Sequence, residues 1–140
     1  MSNEDFEVSE QSSQVEEGTI AREAAKIYDL ENRTLAFAKR VISFVNILER
    51  TIANKEVGKQ LVRSAGSVGA NYIEANEALS RKDFLMRAKI CRKEAKETCY
   101  WLKLITCKDD LDTERQSLLK ESTEIMKIFG SIVEKAQRSK

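Results

Sequence analysis

Apolar residues recur along the chain at alternating steps of four and three, the spacing that holds one stripe of a helix against a partner. Leu30, Thr34, Phe37, Val41, Phe44 and Leu48 make the first stripe and predict a helix over about 30–51, capped by Asp29. Ile20, Ala24 and Ile27 form a weaker helical lead-in over 19–28. Val57, Leu61, Ala65, Val68, Tyr72, Ala75 and Leu79 mark a second helix over about 54–79, with Asn54 placed to accept from a first-turn amide. A third stripe, Phe84, Ala88, Cys91, Ala95, Thr98, Leu102 and Ile105, predicts a helix over about 81–107. Ser80-Arg81-Lys82-Asp83 opens it as a capping box in which Asp stands in for Glu. Leu118, Ser122, Ile125, Phe129, Ile132 and Ala136 give a fourth helix over about 113–139. Asp109, Asp110 and Asp112 fall in the loop before it, where carboxylates favour the positive end of the next helix.

Four rods joined by loops of a few residues make antiparallel neighbours, so the expected fold is all-α, an up-down-up-down four-helix bundle. Composition agrees, because 140 residues without a proline suit long helices better than sheets and tight turns. The absence of histidine excludes Ser-His-Asp and Cys-His catalysis and any His-containing metal site. Some apolar residues lie outside the stripes. Leu35, Ile42, Leu119 and Met126, with Trp101 one residue off its stripe, are candidates for an oligomer interface. Gly66 and Gly69 sit in the middle of the second helix, where each costs up to ~1 kcal/mol relative to alanine. A neighbouring helix passing close to both is the favoured explanation, a ligand lying over exposed backbone the other; the run matches neither GxxxxGK[ST] nor GxGxxG.

Charge is nearly balanced overall, 24 Lys+Arg against 23 Asp+Glu, but unevenly placed. Glu4, Asp5, Glu7, Glu10, Glu16 and Glu17 face no base before residue 18, which leaves a net +7 for residues 18–140. An acidic, Ser- and Gln-rich segment buries too little apolar surface to offset its ordering entropy, so residues 1–18 read as a disordered tail and 19–140 as the bundle. The start of the chain lacks the basic and apolar run of a secretory signal, and no stretch is long and apolar enough for a membrane span, so a cytoplasmic protein is expected. Cys91, Cys99 and Cys107 are eight residues apart on one predicted helix, ~12 Å between neighbours along its axis, too far to bridge one another. Reduced, partly buried thiols are expected.

The second and third helices carry a family likeness. Gln60-Leu61-Val62-Arg63-Ser64-Ala65-Gly66-Ser67-Val68-Gly69-Ala70-Asn71-Tyr72-Ile73-Glu74-Ala75, then Ser80-Arg81-Lys82-Asp83-Phe84, then Glu94-Ala95-Lys96-Glu97-Thr98-Cys99-Tyr100-Trp101-Leu102, resemble the 23S rRNA intervening sequence proteins. These are four-helix bundles whose fold is shared with the accessory variability proteins of diversity-generating retroelements. The resemblance spans residues 28–140. It implies a homo-oligomer, a pentamer of bundles, with no enzymatic activity and no cofactor. For the retroelement relatives it implies binding of nucleic acid and of a reverse transcriptase through basic surfaces. Ser64, Gly66, Gly69, Asn71, Glu74, Ser80 and Asp83 match the signature of the family, and a structural job is expected for Asn71 and Glu74.

The strongest functional feature is the charge on the third helix. Between residues 81 and 96, Arg81, Lys82, Arg87, Lys89, Arg92, Lys93 and Lys96 outweigh Asp83 and Glu94 by five charges. Lys82, Lys89, Lys93, Lys96 and Lys103 step by 7, 4, 3 and 7, so they share a face clear of the core stripe. With Arg92 they form a ridge able to track RNA or DNA phosphates, a sequence-blind contact driven by counterion release. An ordinary solvated helix face is the competing explanation, in which the protein is a homo-oligomeric protein-interaction scaffold. A third reading, a Mg²⁺-dependent nucleoside triphosphate pyrophosphatase, rests on Glu74-x-x-Glu77 and Glu94-x-x-Glu97 pointing four carboxylates into one gap. Surface ion pairs from Lys93 to Glu97 and Arg81 to Glu77 count against it. No catalytic residue or metal ligand is expected. Tyr72, Tyr100 and Trp101 read as core or interface aromatics before base-stacking platforms.

Overall fold

A computed structural model describes residues 3–139, with side-chain surroundings from Gln14 onward. Among the described residues there are four helices and no strand: α1 (Asn3–Ile47), α2 (Ile52–Asn76), α3 (Arg81–Leu104) and α4 (Asp109–Arg138). The chain divides into two compact units between Leu30 and Glu31. No described helix is long and apolar enough to cross a membrane.

The first unit is helical from Asn3, and its residues 14–29 are exposed throughout. The disordered tail expected over 1–18 lies partly outside the described residues; from Asn3 onward that stretch is helix. Asp29 is not a cap, since α1 runs straight through it. No proline interrupts residues 3–47, so nothing removes a backbone donor and the helical hydrogen bonding is free to continue.

In the second unit each helix runs antiparallel to the next, as paired contacts show. Thr34 and Val45 of α1 meet Gly69 and Gly58 of α2. Ser64 and Asn71 of α2 bond to Thr98 and Arg87 of α3, while Cys99 and Leu102 of α3 bond to Ser122 and Arg115 of α4. The ring closes where Arg33 and Arg40 of α1 reach Glu121 and Glu114 of α4. The result is the expected four-helix bundle.

The stripes read from the sequence supply its core. Thr34, Phe37, Val41, Phe44 and Leu48 are buried, as are Leu61, Ala65, Val68, Tyr72 and Ala75, while Val57 and Phe84 are half-buried; Leu30, the last residue of the first unit, is buried too. So are Ala88, Cys91, Ala95, Thr98, Leu102 and Ile105, with Leu118, Ser122, Ile125 and Phe129 on α4. In the last turns of α4, Val133 is buried while Ile132 and Ala136 are half-exposed. A straight helix of 3.6 residues per turn drifts from a 3.5-residue repeat, so the buried stripe slips by one position there.

Helix boundaries differ from the expected ones by a few residues, for reasons visible at the caps. Thr51, not Asn54, caps α2: its side chain accepts from the Asn54 amide at 3.0 Å. Asn54 lies inside the helix and donates its side-chain amide back to the Glu49 carbonyl, tying the α1–α2 turn. α2 ends at Asn76 because Ser80 must be extended to cap α3 through the Asp83 amide at 3.1 Å, and this leaves Leu79 99% exposed instead of in the core. Asp109, Asp110 and Asp112 belong to the first turn of α4, not to the loop before it.

The two signature glycines have different surroundings. A Cβ on Gly69 would lie 3.0 Å from Thr34 Oγ1, so α1 does pass close there; one on Gly66 would meet nothing within 4 Å. The close approach expected across Gly66 is therefore absent. Gly58 instead carries the other tight passage, 3.0 Å from Val45 Cγ1.

Candidate nucleic-acid interface

Helix α3 buries Ala88, Cys91, Ala95, Thr98 and Leu102 against α2 and α4, which turns the opposite face to solvent. Lys82, Lys89, Lys93, Lys96 and Lys103 all lie on that outer face and are exposed. Arg92, to one side, is exposed too. None of the six has an ion pair or side-chain hydrogen bond among the described residues. The face is not uniformly charged, because Leu85, Met86 and Ile90 lie between Lys82, Lys89 and Lys93 in a shallow groove of about 420 Å³.

Several arginines of the bundle are engaged, by contrast. Arg33 grips Glu121 with Nε and Nη2 at 3.0 and 2.6 Å and reaches Glu124 at 2.9 Å. This hydrogen bonding holds the Glu121 carboxyl below its ordinary range. Arg40 donates to Glu114 and to the Ser117 hydroxyl at 3.0 Å. Arg115 donates to Asp112 and to the Leu102 carbonyl, and Arg81 to the Ser139 hydroxyl.

Arg63 also takes two of the four carboxylates. It donates to Glu94 at 3.3 Å and to Glu97 at 2.6 Å. Glu94 is buried, and that burial, reinforced by Glu97 beside it, pushes its carboxyl up, whereas the Arg63 hydrogen bond pulls Glu97 down. Glu74 on α2 and Glu77 just past its end are both exposed. Among the described residues no group of three or more acidic or thiol side chains is placed to hold a metal. The expected surface pairs Lys93–Glu97 and Arg81–Glu77 do not form either, since Arg63 takes Glu97 and Arg81 turns to Ser139.

The remaining signature residues are largely internal ties. Ser64 is buried, its hydroxyl 2.8 Å from Thr98 Oγ1 and donating to the Leu61 carbonyl. Asn71 donates to the Ser67 carbonyl at 2.9 Å and accepts from Arg87 at 3.0 Å, linking α2 to α3. Of the interface candidates, Leu35 and Ile42 are exposed on α1, while Trp101, Leu119 and Met126 are half-buried. The thiols are free: Cys91 and Cys99 are buried and Cys107 half-buried. Burial pushes Cys91 up to about 12.

Two features escaped the sequence reading. The Arg63 link spans more than thirty residues, and no local spacing announces it. Tyr100, expected in the core or at an interface, is instead 56% exposed, and its position four after Lys96 and three before Lys103 places it on the lysine face by the same count that found the lysines.

With this geometry in place, residues 27–131 match the family model described as 23S rRNA-intervening sequence protein. The chain belongs to the 23S rRNA-intervening sequence protein family. A solved structure from Bacteroides thetaiotaomicron VPI-5482, described as a protein with unknown function from the S23 ribosomal protein family, is similar at 34% sequence identity and a TM-score of 0.64. The alignment covers 78% of this chain and 98% of that one. A comparison with curated proteins finds no match. The family match runs from residue 27 to 131, so it takes in the bundle up to the last turns of α4 and leaves out most of the exposed helical stretch at the start of α1.

Proposed function

We propose that this member of the 23S rRNA-intervening sequence protein family is a non-enzymatic binding module that contacts RNA or DNA phosphates through Lys82, Lys89, Arg92, Lys93, Lys96 and Lys103. One observation carries the reading: among the described residues none of these cations has an ion pair within 4 Å or a side-chain hydrogen bond, whereas the arginines between the helices are held by carboxylates and carbonyls. A solvated lysine ridge releases counterions when it meets a polyanion, and repetition of the ridge around a homo-oligomer, a pentamer as the family likeness implies, would multiply a weak contact. Leu35 and Ile42, exposed on α1, favour such self-association and equally support the scaffold reading.

Filter binding across a salt series tests the proposal. Binding at low salt that falls with a log-log slope of roughly −0.7 per phosphate contact on single strands is expected. Replacing Lys89, Lys93 and Lys96 together by Gln should flatten that slope. Absence of binding at low salt would leave the scaffold as the better reading.

A further inference from the structure

We infer that Tyr100 is a base-stacking platform set into the lysine crest, so that the nucleic acid this face takes is single-stranded. The inference rests on the phosphate-binding reading above and adds the class of ligand.

Lys89, Lys93, Lys96, Tyr100 and Lys103 step by 4, 3, 4 and 3, which puts the tyrosine ring in line with the ammonium groups. From Lys82 to Lys103 this line runs ~30 Å along α3. Tyr100 is 56% exposed, although its neighbours Cys99 and Leu102 are buried in the core. Its ring is braced by Trp101 in a T-shaped contact, with centroids 5.0 Å apart and planes at 67°. A braced aromatic has little freedom left to lose when a base stacks on it. At the other end of the crest the groove floor is aliphatic, Leu85, Met86 and Ile90 between three lysines.

A duplex cannot use either feature, because its bases are stacked inside and only phosphates and groove edges face the protein. A single strand can use both. Its phosphates meet the lysines while unstacked bases cover the tyrosine face and the aliphatic floor, the combination by which strands are held without sequence preference. Charge sets the polyanion; the exposed ring and apolar floor separate single strands from duplexes.

The test uses the full chain with a fluorescein-labelled oligo-uridine, a duplex with the same number of phosphates, and heparin as a polyanion without bases. Anisotropy should show the single strand bound about fivefold or more tighter than the duplex, the ratio expected for even one stacked base. Tyr100→Phe should keep that preference. Tyr100→Ala and Tyr100→Leu, the second retaining bulk without a ring, should cut the preference of the single strand over the duplex by about fivefold or more and leave heparin binding unchanged. Trp101, the one tryptophan, should change its fluorescence on adding the single strand and not on adding heparin. Salt-dependent binding of all three probes with equal affinity, indifferent to Tyr100, would overturn the inference and leave the phosphate reading standing. Failure of every probe to bind at low salt would remove both.

Discussion

The cations between the helices and those on the outer side of α3 are placed differently, and the contrast separates what holds the fold from what is left for a ligand. Between helices the cation is arginine. Arg33 and Arg40 tie α1 to α4, Arg63 ties α2 to α3, and Arg115 ties α4 to the end of α3. A planar guanidinium with five donors can grip a carboxylate with two bonds and still reach a second acceptor, as Arg33 does with Glu121 and Glu124. On the outer face of α3 the cation is lysine, a compact and strongly hydrated charge on a flexible stem. Its unpaired ammonium groups add little to stability and remain available to phosphates.

If the contrast holds, substitutions in the seams cost stability and substitutions on outward faces do not. The largest effect is expected at the α1–α2 seam. Gly69→Ala drives a methyl against the buried Thr34 and should cost about 1–3 kcal/mol in urea unfolding. Gly66→Ala, which meets open space, should instead stabilise by up to ~1 kcal/mol through helix propensity. Equal effects at the two glycines would break the distinction.

A smaller loss, about 1–2 kcal/mol after allowing for the half-exposed guanidinium, is expected for Arg63→Met, which leaves Glu94 buried without its cation. Its pH dependence gives a sharper signature. Burial holds Glu94 above the ordinary carboxylate range, so above that raised value its charge opposes folding. The penalty in the variant should be greatest near neutral pH and shrink as pH falls through the raised value and Glu94 takes up a proton. Glu97 acts in the opposite sense in the parent chain. Arg63 holds it low, so its contribution is present above the ordinary carboxylate range and is lost as pH falls through the lowered value. Urea midpoints measured across the acid range should therefore converge for parent and variant.

The smallest stability change belongs to the crest. Replacing Lys89, Lys93 and Lys96 together by Gln should move the unfolding free energy by no more than about 0.5 kcal/mol. A clear loss in the denaturation curve would mean that the crest is structural after all.

The helical stripes were readable because burial follows the periodicity of the helix. Thr34 and Thr98 fell on core stripes despite their hydroxyls and are fully buried. Properties set by a second helix were not readable. Gly66 and Gly69 look alike in sequence, and what separates them is Thr34, on another helix. Likewise the carboxylates of α3 gave no sign that Arg63 of α2 would close over them. The face of the lysines followed from their spacing, but their lack of partners depended on where every acid in the fold ended up. Asp29 reads as a cap from its residue type alone, but a helix without interruptions runs through it.

The cysteines add a clock to the molecule. Cys91 sits between α2 and α3 and Cys99 between α3 and α4, each shielded from reagents in solution. A thiol-labelling agent can reach them only while those helices part, so the slow phase of alkylation counts how often the rods separate. Half-buried Cys107, outside both contacts, supplies the faster reference in the same polypeptide.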